Sequence, residues 1–331
     1  MIVLGIETSC DDTCAAIYDG RSLLSNVIST QLIHQRFGGV VPELASRSHV
    51  QLVLPVVRQA LNQAGLERKE LQGIAVTFGP GLAGSLLVGL SMAKGMALSL
   101  RIPIVGINHL EGHIWANTLS DPDLASRFIV LIASGGHTQI VFVREWGDYE
   151  VLGRTRDDAA GEAFDKVGKL LEVGYPGGPA IEKLAREGDS EYTRFPRAFL
   201  EEGSLDFSFS GLKTAVLNHV QTIGSEQTRK HFSDIAASFQ RAVIDVLVEK
   251  TVTAAKRMGI HRICMAGGVA VNKALQEHMT RRGREEGMAI SWPIPELCTD
   301  NGGMIARAGF YYLQQGITSP LSLSPAPSLN L

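Results

Sequence analysis

Two stretches of this chain repeat one design, and the repeat limits what the chain can fold into. Ile2 to Ile6 is a short apolar strand, followed by a polar turn (Glu7 to Thr13), a strand (Cys14 to Tyr18), a tight turn at Asp19-Gly20 and a strand from Leu23 to Ser29. Phe128 to Ala133, the turn Ser134 to Gln139, Ile140 to Arg144 and Tyr149 to Arg154 run the same way. Each reads as an antiparallel meander. Strand and helix patterns follow each one. In the first half these are a helix over Leu44 to Ala64, a strand over Leu71 to Thr77, a helix over Leu86 to Leu100 and a strand over Ile102 to Ile107. In the second half they are helices over Ala159 to Leu171, Ala180 to Arg186 and Phe232 to Arg257, then a strand over Arg262 to Ala266 that turns into a helix. A repeat on this scale is an internal duplication of an α/β domain. The 331 residues suffice for two such domains with cores of their own. The expected division is 1–126 and 127–301, with a C-terminal helix, 302–331, packing back on the first domain. The Ser- and Pro-rich tail from Thr318 reads as a poorly packed strap.

The turns carry the chemistry. Glu7-Thr8-Ser9-Cys10-Asp11-Asp12-Thr13 holds three acids and three hydroxyls where a plain hairpin needs little more than Asn-Gly. Backbone N–H groups and hydroxyls in such a turn suit a phosphate, and Asp11 or Asp12 suits a metal or a reacting group. Ser134-Gly135-Gly136 and Gly267-Gly268 are the second half's small turns. The latter lets backbone approach an adenine or ribose, with Asn272 as a hydrogen-bonding end. Gly79-Pro80-Gly81 opens a weakly charged helix but lacks the lysine of a phosphate-binding P-loop. The small residues Gly84, Ser85, Gly89, Ser91, Ala93 and Gly95 favour close helix packing or a subunit interface there. Arg47, His49 and Arg58 fall on the polar side of the preceding helix.

His109 and His113 sit four residues apart, one helical turn, behind a buried strand. Two imidazoles so placed can share one metal. Asp300, in Cys298-Thr299-Asp300-Asn301-Gly302, is either the third, hard ligand or a helix N-cap. A net charge of −3 excludes nucleic-acid binding by bulk charge but not by a local basic patch. Four scattered cysteines suggest a reduced, cytoplasmic protein. No apolar run reaches the ~20 residues of a membrane span, since Gly89, Lys94 and Gly95 break the longest.

The layout resembles the actin, Hsp70 and sugar-kinase superfamily, of RNase H-like α/β domains with a nucleotide cleft between the halves. An ordered set of motifs narrows this. Gly5-Ile6-Glu7-Thr8-Ser9-Cys10-Asp11, Val41-Pro42-Glu43-Leu44-Ala45-Ser46-Arg47, His109-Leu110-Glu111-Gly112-His113, Ser134-Gly135-Gly136-His137-Thr138, Gly161-Glu162-Ala163-Phe164-Asp165-Lys166, Tyr175-Pro176-Gly177-Gly178-Pro179, Ala266-Gly267-Gly268-Val269 and Cys298-Thr299-Asp300-Asn301-Gly302 follow one another. Together they resemble the bacterial tRNA N6-threonylcarbamoyladenosine transferase family, once described as O-sialoglycoprotein endopeptidases.

The resemblance implies transfer of a threonylcarbamoyl group from threonylcarbamoyl-adenylate to N6 of the adenosine 3′ of the anticodon, in tRNAs reading codons that begin with A. AMP leaves. It implies metal ligands at His109, His113 and Asp300, with Fe2+ ahead of Zn2+. It implies nucleotide contacts at Ile132, Ala133, Ser134, Gly135, Gly136, Asp165, Gly178 and Asn272. Implied partners are tRNA, an inactive paralogous subunit pairing through the N-terminal domain, and a small P-loop ATPase. Asp11 is the candidate for positioning substrate or taking the amine proton. The chain departs from relatives at Asp12, where many have Glu, and at Glu182, where some have Asp. It also has Leu131-Ile132-Ala133 where archaeal and eukaryotic relatives add a tyrosine ligand. Three rival functions remain: a metalloprotease, a small-molecule kinase and a nucleotide-bound scaffold. The protease reading is weakened because Glu111 lies two residues after His109 rather than one, so it projects away from the histidine face. A kinase gives the histidine pair no task.

Overall fold

The computed structural model describes residues 1–198 and 203–331. The chain forms two compact units, one of Met1–Leu124 with Pro293–Leu331 and one of Ala125–Trp292.

The first unit begins with β1 (Val3–Glu7), β2 (Asp12–Tyr18) and β3 (Leu23–Thr30), then α1 (Pro42–Ala64), β4 (Gly73–Gly79), α2 (Ala83–Leu100), β5 (Ile104–Asn108) and α3 (His109–Ser120). The second contains β6 (Phe128–Ala133), β7 (Thr138–Glu145), β8 (Asp148–Arg154), α4 (Ala160–Leu170), α5 (Gly177–Ala185), α6 (Ser210–Lys230), α7 (Phe232–Met258), β9 (Arg262–Ala266), α8 (Lys273–Glu285) and β10 (Ala289–Ser291). The chain then returns to the first unit with α9 (Pro295–Cys298) and α10 (Gly302–Gln314).

Each unit is built on a five-stranded sheet, ordered β3-β2-β1-β4-β5 in the first and β10-β9-β6-β7-β8 in the second. Read outward from the shared position of β1 and β6, these are one topology. The meanders pair antiparallel, Glu7 opposite Cys14 and Ala133 opposite Thr138. The later strands pair parallel, Ile6 with Val76 and Ile132 with Ala266. In an α/β sheet of this kind ligands gather at the carboxyl ends of the strands. Those ends carry the turns singled out above.

In the first unit Leu4, Ile6, Ile17, Ile74 and Val76 of the sheet pack with Val53 and Val57 of α1 and Leu90 of α2. On α2 the glycines serve contacts within the unit: a Cβ on Gly89 would lie 2.3 Å from Thr8 Oγ1, and one on Gly84 2.3 Å from Ser46 Oγ. By length and composition α2 could cross a bilayer, contrary to the expectation from sequence. Its face of Ser85, Leu86, Leu90, Ala93 and Ala97 is nonetheless buried against the first unit, while Leu87 and Leu98 are exposed. Helix α10 crosses β1 where Gly5 leaves no side chain: a Cβ there would sit 2.3 Å from the Gly302 carbonyl.

Three expectations are corrected. The return to the first unit comes at Pro293 rather than after residue 301, because α9 packs beside α3 and Ile294 N–H donates to Ser120 Oγ at 3.3 Å. Helix covers only Gly302–Gln314 of the final segment. The remaining tail is held rather than loose: Ser319 N–H donates to the Ile104 carbonyl and Ala326 N–H to that of Phe78, both at 2.7 Å. Asn108 Nδ2 also donates to the Asn330 carbonyl at 3.0 Å. The tail thereby takes up polar groups along β4 and β5 that a bare sheet end would leave to water.

Candidate metal and nucleotide sites

Asn108 ends β5 and caps α3: its Oδ1 accepts from Leu110 N–H at 2.9 Å. The cap fixes His109 as the first helical residue and brings His113 round one turn later. The imidazole centroids lie 4.8 Å apart at 81°. Between α9 and α10, Asn301 takes the capping task that Asp300 was a candidate for, its Oδ1 accepting from Met304 N–H at 2.9 Å. The Asp300 carboxylate is thereby released toward the histidines. Its Oδ1 lies 3.2 Å from His113 Nε2 and 3.6 Å from His109 Nε2. One ligand atom from each of the three residues falls within a 4.8 Å span.

Two observations fit this group to a metal ion. His113 is fully buried, yet among the described residues neither ring nitrogen makes a hydrogen bond; Nε2 is near Asp300 without the alignment one requires. A buried imidazole in that state lacks the partner a cation would supply. The neighbourhood is also acidic. Burial pushes the Asp12 carboxyl up to about 7, and the charge of Asp300 adds to it. Burial likewise raises the Cys10 thiol, reinforced by Asp11 and Asp300, so that thiol is no nucleophile.

Glu7, one of the three acids of the first turn, orients the site rather than facing a ligand. It is fully buried at the end of β1. Its Oε2 lies 3.0 Å from His109 Nδ1 and accepts from Thr77 Oγ1 at 2.6 Å. Ser9 N–H donates to Oε1. Burial alone would raise the Glu7 carboxyl, but the charge and hydrogen bond of His109 hold it below its ordinary value. Burial also opposes charge on His109, but Glu7 and Asp300 draw its pKa up to about 9. An ionised Glu7 accepts, so His109 Nδ1 carries the proton and Nε2 faces Asp300. This carboxylate–histidine arrangement is the one that orients metal-binding imidazoles. One clue in the sequence was an acid closing the apolar run Val3 to Ile6.

His49 is not on the polar side of its helix. It is fully buried, with Nδ1 2.8 Å from Thr13 Oγ1 and Nε2 2.9 Å from the Cys10 carbonyl, and so ties α1 to the turn that carries Asp11. Glu111 accepts from Trp115 Nε1 at 3.4 Å and from the Tyr312 hydroxyl. Asp11 lies in the β1–β2 turn, half-buried, its carbonyl accepting from Gln31 N–H at 3.3 Å.

In the second unit the expected nucleotide residues fall into two linked groups. Ile132 and Ala133 end β6, and Ser134 closes the turn by accepting on Oγ from His137 N–H at 3.1 Å. Gly267, at φ +89°, lies against Ala133: a Cβ there would be 2.4 Å from its carbonyl. Gly161 N–H donates to the Ser134 carbonyl at 3.1 Å. Cβ atoms on Gly135, Gly136 or Gly178 would meet nothing, so backbone faces open space at these positions. Asp165 Oδ1 accepts from Gly177 N–H at 2.7 Å and holds the start of α5 beside α4. Asn272 caps α8 through Leu275 N–H at 3.0 Å and donates to Gln240 at 2.7 Å. Glu182, on α5, accepts from Lys273 N–H at 3.1 Å and joins the two groups. The roles of Glu182 and Gln240 were not legible in the sequence, since both partners come from distant helices.

Two sheets of one topology, one bearing a triad of two buried imidazoles and a half-buried carboxylate and the other glycine-built turns, define a two-domain protein of the actin-like ATPase fold. Solved structures agree on the fold. The activator of the 2-hydroxyisocaproyl-CoA dehydratase from Clostridium difficile, with bound ADPNP, is similar at a TM-score of 0.56 and 16% identity, over 97% of this chain and 99% of that one. Full-length HypF, in its phosphate- and nucleotide-bound form, is similar at 0.63 and 15% identity, over 96% of this chain and 56% of that one. Sequence relatives are far closer. The tRNA N6-adenosine threonylcarbamoyltransferase of Syntrophus aciditrophicus is 55% identical over 98% of this chain and 96% of its own length. Its counterpart in Clostridium beijerinckii is 50% identical over 100% and 98%. The family model described as tRNA N6-adenosine threonylcarbamoyltransferase matches residues 22–307. The chain belongs to that family, and it is a transferase that modifies tRNA.

Proposed function

We propose that this chain moves a threonylcarbamoyl group from threonylcarbamoyl-adenylate to N6 of the adenosine 3′ of the anticodon, in tRNAs reading codons that begin with A. The bond from the carbamoyl carbon to the phosphate oxygen breaks, a bond to N6 forms, and AMP leaves. The observation that carries this reading is the His109–His113–Asp300 triad, two buried imidazoles facing a half-buried carboxylate, in a chain of this family.

The triad and its Glu7 support would hold one divalent ion, Fe2+ ahead of Zn2+, on two neutral imidazoles and a carboxylate. Bound there, the ion supplies Lewis acidity to an oxygen of the donor. The chain's own groups bind and orient. The turn Ser134–Gly136 offers backbone N–H groups to phosphate, which stabilise charge without rearranging. Asp165, Gly178 and Asn272 frame the nucleoside. Asp11 positions the incoming amine or takes its proton, and His49 fixes the turn on which Asp11 stands. The target base leaves its stack to react.

An inactive paralogous subunit would pair with the first unit, where Val50 and Leu54 of α1 and Leu87 and Leu98 of α2 are exposed. A small P-loop ATPase completes the set of partners, and a tRNA substrate supports a cytoplasmic location. The protease reading is disfavoured because Glu111 is engaged by Trp115 and Tyr312.

The test combines the full chain and its partner proteins with threonine, bicarbonate, ATP, an adenylate-forming enzyme and unmodified tRNA, then analyses the tRNA nucleosides. Appearance of N6-threonylcarbamoyladenosine, dependent on the chain, supports the proposal. Its absence when donor and metal are both present would sink it.

A further inference from the structure

The chain's net charge is −3, so a tRNA substrate needs a local basic surface. The second unit has one. Lys273, Gln276, Glu277, Arg281 and Arg284 on α8, with Trp292 just beyond β10, line a surface groove of about 540 Å³. Positions 273, 277, 281 and 284 recur at helical spacing and share one face of α8. Lys273, Arg281 and Arg284 are exposed. Among the described residues neither Arg281 nor Arg284 has a carboxylate partner. Of the two acids in the groove, Glu285 pairs with Arg282 at 2.6 Å, and Arg282 also holds Glu249 at 2.7 Å, leaving Glu277 as the groove's one acid without an ion pair among the described residues. Three cations, Lys273, Arg281 and Arg284, against the two acids Glu277 and Glu285 leave the groove weakly cationic and facing solvent, and a half-buried indole stands at its edge.

We propose that this groove binds the tRNA strand. Arg281, Arg284 and Lys273 contact successive phosphates, and Trp292 gives a platform on which one base stacks. Guanidinium groups without partners favour phosphate, and an indole at the rim of a basic groove is the pattern of single-stranded nucleic-acid binding. The groove starts at Lys273, the residue after Asn272, so RNA lying along α8 reaches the nucleotide turn. This inference rests on tRNA being the substrate.

The experiment measures binding of an unmodified tRNA transcript to the full chain at several salt concentrations. At about 0.1 M salt the Arg281→Gln/Arg284→Gln double variant should bind roughly tenfold more weakly, and its salt slope should fall by about two. Trp292→Ala should weaken binding about five- to hundredfold with the slope unchanged. Glu277→Gln should tighten it. Unaltered melting temperatures show that the variants fold. If wild type binds tRNA and all variants match it in affinity and slope, the groove is not the docking site and the transferase reading stands. If wild type, with its partner proteins and the donor present, fails to modify tRNA, the functional reading falls instead.

Discussion

Glu7 and His109 form a buried carboxylate–imidazole pair at 3.0 Å, and it fixes which nitrogen of His109 is left for a ligand bond. Glu7→Gln keeps the size of the group but removes the charge that sets the tautomer. The variant should bind metal about 10- to 100-fold more weakly while melting within a few degrees of wild type. Competition with a chelator of known affinity measures this. Unchanged metal affinity would show that Glu7 is only structural.

Metal removal should leave the fold intact. The triad's elements are held by the apolar core and by the Asn108 and Asn301 caps, not by the ion alone. Chelation should therefore abolish transfer with far-UV circular dichroism unchanged, and added Fe2+ or Zn2+ should restore it. Unfolding on chelation would mean that the ion is a structural clamp.

Much of this was legible in the sequence because it was local. The meanders, the histidine spacing and the Gly267-Gly268 turn are written in contiguous residues with clear periodicity or turn chemistry. Asp300 was ambiguous because Asp and Asn both cap helices, and only the position of Asn301 resolves it. His49 was misread because amphipathic spacing treats imidazole as polar surface, whereas Thr13 and the Cys10 carbonyl satisfy it inside. An acid closing an apolar run marked Glu7, but its task stayed hidden because its partners, Thr77 and His109, lie 70 and 102 residues away. The packed tail escaped because Ser- and Pro-rich composition does not report hydrogen bonds to distant sheet edges.

Asp157 holds the entry of α6. It accepts from the Ser208 hydroxyl, from Phe209 N–H at 2.8 Å, from Ser210 N–H at 3.2 Å and from the Ser210 hydroxyl at 2.8 Å. Burial opposes its charge, but these bonds hold the carboxyl below its ordinary value. A depressed carboxyl contributes stability above its unfolded pKa and loses it as pH falls through the folded value. Asp157→Ala should therefore cost about 1 kcal/mol at neutral pH, screening by solvent included, and the gap to wild type should close in strong acid. Denaturant titrations at neutral and acid pH check this. A gap independent of pH would contradict it.

Gly267→Ala places a methyl group 2.4 Å from the Ala133 carbonyl on a backbone at φ +89°. It should destabilise the turn by roughly 1–3 kcal/mol and weaken adenine-nucleotide binding, with the metal affinity of the first unit unaffected. Calorimetry with AMP and metal titration separate the two effects. Loss of both would mean that the whole chain had misfolded.

The most direct test of the account is the nucleoside content of tRNA after reaction with the adenylate donor, comparing wild type with His109→Ala. Wild type should yield N6-threonylcarbamoyladenosine, and the variant, folded to the same melting temperature, at least about a hundredfold less. Equal yields from the two proteins would contradict the role given to the metal triad.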